Sequence, residues 1–371
     1  MSFLNNYSKN LFINFLILII PLTTVAGNLV LNLNILLLVF LSFVFFGREV
    51  FRIRYNIVDK LILIFFAYIC LNGILNNFLN FDFPDAPEKN IVLIKSLLFM
   101  RYLLLYLVIR FLIFQEIINI KLLFFVYGSC AVLISIDLAV QYFFGKNLLG
   151  MPGESRRLSG MFGDEPVAGA YIQKFFIFLP YAILFFSKIK NYLILQLTLL
   201  VVLSVNLFGI LVSGNRMPLI LSIFTLVLIF LFEKKLRILI SSILILFLLT
   251  FSILLKTNSS VYLHFNSFKD KGAEFINYFQ EVISKDGEVK KRNVYIKEFE
   301  SGILTWQQNK FFGGGLKSFY FNCSKNKNHT MFKYIGSCNS HPHNYYIDIA
   351  ASLGLLGLIL TILMFSIVII K

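Results

Sequence analysis

The sequence predicts an all-α fold: a polytopic integral membrane protein of about ten transmembrane helices with one large extracytoplasmic loop. Three observations lead there. Hydrophobic residues make up 58% of the 371 and charged residues only 14%, against roughly 25% charge in an ordinary soluble domain. The apolar residues collect into runs close to the ~20 residues a helix needs to cross the hydrocarbon. The basic residues gather in short connectors on one side of those runs, as cytoplasmic loops do.

The runs lie near 11–27, 29–46, 57–79, 91–113, 121–144, 167–187, 192–212, 217–232, 236–255 and 346–370. The first has Lys9, the apolar stretch Leu11 to Leu22 and small residues from Thr23 to Gly27, as a signal peptide does. A second apolar span follows at once, so it reads as a retained first helix. Arg48, Arg52, Arg54 and Lys60 follow the second run, and Arg110 and Lys121 bracket the connector after the fourth. Lys188 and Lys190 follow the sixth, Lys234, Lys235 and Arg237 the eighth, and Lys371 ends the tenth. Every even-numbered run thus exits into a basic connector, which places those connectors and the N-terminus in the cytoplasm. The formal net charge of +15 therefore reflects topology. No periodic aromatic-basic surface or nucleic-acid motif accompanies it, and nucleic acid is excluded as a partner.

The remaining connectors face outward: the turn Gly27–Asn28, the segments 80–90 and 145–166, the turn Ser213–Arg216 and the long segment 256–345. The chain divides accordingly into transmembrane helices over 1–255, a loop over 256–345 and a last helix over 346–371. Within the loop, Arg292, Tyr295, Phe299, Gly302, Ile303 and Trp306 fall at helical spacing. They predict an amphipathic helix with an apolar stripe, ending before Gly313-Gly314-Gly315. Tyr295 and Trp306 suit a membrane interface.

Arginines in short outward connectors run against the positive-inside bias and need a reason. Arg216 follows Ser213-Gly214-Asn215 at a tight turn, and Arg156 and Arg157 sit in the segment from Glu154 to Phe162. A guanidinium suits bidentate phosphate binding; contact with lipid headgroups is the plainer alternative. Arg101, Asp137, Lys174 and Asp348 lie within the spans, where charges are functional candidates. Asp137 and Lys174 are both placed to pair.

Where the loop meets the last run stands Ser340-His341-Pro342-His343-Asn344-Tyr345-Tyr346, with two of the four histidines. A histidine at a membrane surface serves either as a general base near neutral pH or as an interfacial residue bonded to its loop. Pro342 is expected to direct the two rings apart. Cys70 and Cys130 lie inside apolar runs and read as packing residues. Cys323 and Cys338 face outward, and a disulfide between them would close a loop of roughly 15 residues, stabilising by about 3 kcal/mol. Zinc is the competing reading, since Cys323, His329, Cys338, His341 and His343 supply suitable ligand types. Their spacing matches no standard finger, and an oxidising side favours the disulfide. The run Gly313-Gly314-Gly315-Leu316-Lys317-Ser318 lacks phosphate-loop spacing. No metal and no cofactor is therefore expected.

Several of these motifs occur together and in order: Arg157 to Gly163, Ser213 to Arg216, Arg292 through Trp306 to Phe319, His341 to Tyr345, and Ala351 to Gly357. Over roughly residues 156–371 the chain resembles the O-antigen ligase and O-antigen polymerase family of membrane glycosyltransferases. The resemblance implies a metal-independent transferase of the bacterial inner membrane with its active site facing the periplasm. It would take a glycan from an undecaprenyl-pyrophosphate carrier and pass it to lipid A-core (a ligase) or to another carrier-linked glycan (a polymerase). It implies that Arg216 and Arg292 bind the pyrophosphate, with Arg157 as a third cation, and that His343 is the catalytic base beside His341 and Asn344. Family members often have about twelve helices where this chain reads as about ten. From another class, a transporter or flippase would show discontinuous helices and midplane charges.

Overall fold

The computed structural model describes residues 6–78, 89–153, 157–284, 294–323 and 341–370. Its helices in chain order are α1 (Asn6–Leu18), α2 (Ile20–Val25), α3 (Asn28–Phe46), α4 (Ile57–Phe78), α5 (Lys89–Phe114), α6 (Ile120–Phe144), α7 (Ala168–Phe175), α8 (Phe178–Phe186), α9 (Tyr192–Val212), α10 (Arg216–Phe232), α11 (Arg237–Thr257), α12 (Ser259–Ser284), α13 (Val294–Gln308), α14 (Ser318–Asn322) and α15 (Tyr345–Ile370). No strand occurs among the described residues, where one isolated bridge joins Lys146 and Pro152. Nine segments of the described chain are long and apolar enough to span a membrane, and Arg216–Phe232 is a shorter apolar helix. These are the ten runs read from the sequence. The sixth is split into α7 and α8 because Pro180 has no N–H to offer the carbonyl of Phe176.

The chain forms two compact units, residues 1–47 with 112–269 and residues 48–111 with 270–371. In the first, α6, α7, α9, α10 and α11 share a core that includes Ile134, Leu138, Ile172, Phe176, Leu207, Ile210, Leu226 and Ile243. Lipid is as apolar as these side chains, so close packing and polar contacts hold such helices together. Gly209 supplies the closeness: a Cβ there would stand 2.8 Å from Cα of Ser135 on α6. The Ser135 hydroxyl donates to Oδ1 of Asn206 on α9 at 2.9 Å.

The second unit contains α4, most of α5, and α13 to α15. Nε and Nη2 of Arg110 donate to the two carboxylate oxygens of buried Asp59 at 2.9 and 3.0 Å. The Tyr106 hydroxyl donates to the same carboxylate. Arg110, counted above among the connector cations, is therefore one half of an ion pair joining α4 to α5.

In the same unit α15 is broken at Gly354, whose φ of 67° and ψ of −167° lie outside any helix. The chain from Lys310 to Ser318 fills the break. The amides of Gly314 and Gly315 donate to the carbonyls of Ala351 and Ser352 at 2.9 and 2.8 Å, and the amide of Leu355 donates to the Lys310 carbonyl at 2.9 Å. A Cβ at Gly313 would run into the backbone of Leu353 and Gly354. Backbone groups freed at membrane depth need protein partners, and α4 provides them. Tyr68 donates to the Leu353 carbonyl at 2.7 Å, Asn72 to that of Phe312, and Asn76 to that of Gly313 at 3.3 Å. The glycine triplet and the stretch Ala351 to Gly357, distant in sequence, are thus one tertiary feature.

The amphipathic helix expected in the loop is present as α13, and it ends before the glycine triplet. Its buried side differs from the predicted stripe. Ile296, Glu298, Glu300, Ser301, Leu304 and Thr305 are buried, whereas Ile303 is 40% exposed. Hydrophobic periodicity marks the inward face only where the outside is water; here the protein-facing side of the helix is largely polar. Helix α12, which occupies the first part of the loop, was not anticipated.

Candidate active site

In the second unit the site residues stand at the junction of α13 and α15. Asn344 opens α15: its side-chain oxygen accepts from the amides of Tyr346 and Ile347 at 2.9 and 3.1 Å. An Asn at this position satisfies two of the N–H groups that a helix start leaves without partners. Pro342 is buried and seats on α13 where Gly302 has no side chain; a Cβ there would stand 3.0 Å from Cβ of Pro342. Between these two anchors His343 takes a left-handed backbone, with φ of 50°. Histidine is among the residues that tolerate this region.

That backbone turns the His343 ring toward α13. Its Nε2 lies 3.6 Å from Oε2 of Glu298, a carboxylate with no exposed surface, while the histidine side chain itself is 40% exposed. The rings of His341 and His343 meet edge to face, with centroids 4.5 Å apart. The expectation that Pro342 sends the two rings apart is not met, because the left-handed turn at residue 343 brings them back together. Asp348 lies one turn into α15.

In the first unit the turn Ser213-Gly214-Asn215 leads into α10. Gly214 has φ of 70°. The buried Ser213 hydroxyl donates to the Ile210 carbonyl at 2.7 Å and accepts from the Asn215 amide at 3.3 Å. Helix α7 lies against this turn at Gly169, where any Cβ would strike the Ser213 hydroxyl. Arg216 is the first residue of α10, whose first turn holds no acidic residue. Nη2 of Arg216 donates to the Ser267 hydroxyl of α12 at 2.6 Å. A guanidinium and a helix N-terminus therefore place positive charge at one point.

Arg157 is exposed, on a connector tied down by two buried residues of α6. Asp137 Oδ1 accepts from the Leu148 amide at 2.8 Å, and Gln141 Oε1 accepts from the Gly160 amide at 2.9 Å. Asp137 and Lys174 do not pair, and Lys174 is exposed. Arg101 donates to the Tyr102 hydroxyl at 3.0 Å and lies 4.8 Å from that ring's centre. Cys323 is buried and disulfide-bonded. Cys338, Arg292, Arg156 and His329 lie outside the described residues. Among the described residues no three His, Cys, Asp or Glu side chains gather as a metal site.

The sequence reading passed over Glu298 and Ser267. Glu298 falls four residues before Gly302, on the helix face that meets Pro342. That spacing was the available signal, but an acid beside Lys297 and Glu300 looks like part of a solvated surface.

Fold and site together define a polytopic all-helical membrane protein, with a histidine–carboxylate pair on one unit and an arginine at a helix N-terminus on the other. Residues 199–362 match the family model described as O-antigen ligase. Over that stretch the chain is similar to the O-antigen ligase family. The matched stretch includes Arg216, Arg292, Cys323, Cys338, His341, His343 and Asn344, and leaves out Arg157. No curated protein and no solved structure gives a match.

Proposed function

We propose that the protein is a metal-independent glycosyltransferase. It moves a glycan from undecaprenyl pyrophosphate to an acceptor such as lipid A-core at the periplasmic face of the inner membrane. The observation that carries this reading is His343, held in a left-handed conformation at the start of α15 with a buried carboxylate behind it and its ring part-exposed. An acceptor hydroxyl needs a base as it attacks the anomeric carbon, and a neutral imidazole is suited to that work. The pyrophosphate gains a negative charge as its bond to the anomeric carbon breaks, so cations must receive it. Arg216 and Arg292 take this role, with Arg157 as an auxiliary cation. Attack opposite the departing pyrophosphate inverts the anomeric centre. Cys323 pairs with Cys338, bracketing the loop before His341.

A polymerase of the same family would use the same groups and differ in the acceptor. The break in α15 is the feature that a transporter or flippase would share. Here, however, the freed backbone groups are taken up by the chain from Lys310 to Ser318 and by α4, which favours a structural role for the break. The deciding experiment reconstitutes the full chain in vesicles with lipid-linked glycan and lipid A-core extracted from native membranes. Glycan should appear on the acceptor with wild-type protein and not with His343→Ala; glycan that crosses the bilayer without changing its lipid would overturn the reading.

A further inference from the structure

We infer that Glu298 is the positioning residue for His343, fixing which ring nitrogen does the chemistry. The inference rests on the reading of His343 as the base. Three features of α13 and the histidine segment carry it. The Glu298 carboxylate is fully buried and stands 3.6 Å from Nε2 of His343. The backbone at His343 adopts a positive φ, which costs a residue with a side chain of the order of 1 kcal/mol or more unless its surroundings impose it. Pro342, seated at Gly302, and Asn344, capping α15, impose it from both sides. Glu298 and Gly302 lie one turn apart on α13, so the face that receives the proline also presents the carboxylate.

A carboxylate beside one imidazole nitrogen holds the proton there and leaves the lone pair on the other. With Nε2–H directed at Glu298, Nδ1 is the acceptor. In the transfer step the acceptor oxygen bonds to the anomeric carbon and its proton passes to Nδ1. The bond from that carbon to the pyrophosphate oxygen breaks, and its electron pair leaves with the pyrophosphate. The imidazolium so formed carries a proton on each nitrogen, and Glu298 offsets its charge. Burial suits the carboxylate to this role, since an ion pair shielded from water is stronger than an exposed one.

A double-mutant cycle tests the inference, with rates measured on the full chain in vesicles using the native lipid-linked glycan. Glu298→Gln keeps the shape and removes the charge. It should lower kcat about 10- to 100-fold, part of the 10²–10⁴-fold that a positioned base supplies, and leave the KM for the donor unchanged. In the His343→Ala background it should have no further effect, because it acts only through the ring. A wild-type rate for Glu298→Gln overturns the inference, and so does a full additional loss in the His343→Ala background. If Glu298→Gln does not accumulate in the membrane, Glu298→Asp takes its place in the cycle: it keeps the charge but withdraws it by one methylene, and an intermediate loss of kcat is expected. Should His343→Ala itself be fully active, the reading of His343 as base fails; a wild-type Glu298→Gln beside an inactive His343→Ala defeats only the role of Glu298.

Discussion

Arg216 Nη2 and the Ser267 hydroxyl are 2.6 Å apart, so the first residue of α10 is steered by α12. A lysine at 216 would keep the charge and lose the planar fork that meets two phosphate oxygens together. Arg216→Lys should therefore lose most transfer, at least 10-fold, with normal insertion in the membrane. Ser267→Ala removes the steering contact and should cost a few-fold. Full activity of Arg216→Lys would refute a bidentate role, and glycan transfer to acceptor, followed by gel shift, is the measurement.

The two histidines make a sharper contrast. Nε2 of His343 lies 3.6 Å from the Glu298 carboxylate, and the His341 ring meets the His343 ring edge to face. His343→Ala should lose transfer by about 10²–10⁴-fold, and His341→Ala by less than 10-fold. Both variants should unfold within a few degrees of wild type, since neither ring is deeply buried. An equal loss for the two would make them a joint unit and remove the assignment of a single base.

Much of the fold was legible because the bilayer imposes one simple rule, about 20 apolar residues per span. The ten runs and the ten apolar helices agree to within a few residues. Three features escaped it, each for a different physical reason. The break at Gly354 was hidden because the flanking residues are uniformly apolar, and only the fit of the chain from Lys310 to Ser318 reveals it. The buried face of α13 was not assigned, because the apolar stripe pointed to a membrane interface and the residues that face the protein are largely polar. Asp137 and Lys174 were placed to pair on axial position alone; Asp137 turns instead to the connector amide of Leu148. The histidine segment stood out in the sequence because His-Pro-His-Asn is an unusual string. Its partner Glu298 was missed because nothing about a lone glutamate signals burial.

The orientation of the loop is open to direct measurement. A reporter that works only outside the cytoplasm should be active when fused at Gln280 in α12 and silent when fused at Glu233, after α10. Cytoplasmic activity at Gln280 would reverse the topology and with it the placement of the histidine segment. In the same preparations Cys323 and Cys338 should resist thiol reagents until reductant is added. Opening that bridge should lower stability by about 3 kcal/mol, and a pair of reactive thiols in protein purified without reductant would refute it.

The break in α15 sets the final test. Gly354 occupies a backbone region essentially closed to other residues, and a Cβ there would collide with the Phe311 carbonyl. No rotamer change relieves a clash with backbone, so Gly354→Ala must either displace the chain from Lys310 to Ser318 or straighten the helix. Straightening would strip the Leu353 carbonyl of the Tyr68 hydroxyl, now 2.7 Å away. Tyr68→Phe removes that hydrogen bond and the longer one to the Phe312 carbonyl at 3.2 Å and should cost about 1 kcal/mol. Gly354→Ala adds strain and several lost backbone bonds and should cost well above ~3 kcal/mol. In detergent, thermal unfolding should show a shift of a few degrees for Tyr68→Phe and a much larger fall for Gly354→Ala. Because His343 directly precedes Asn344, which caps the helix that Gly354 breaks, the glycine variant should also lose transfer, and the phenylalanine variant should retain most of it. If Gly354→Ala unfolds at the same temperature as Tyr68→Phe, the break is not held by the contacts described, and α15 is free to run as a continuous helix.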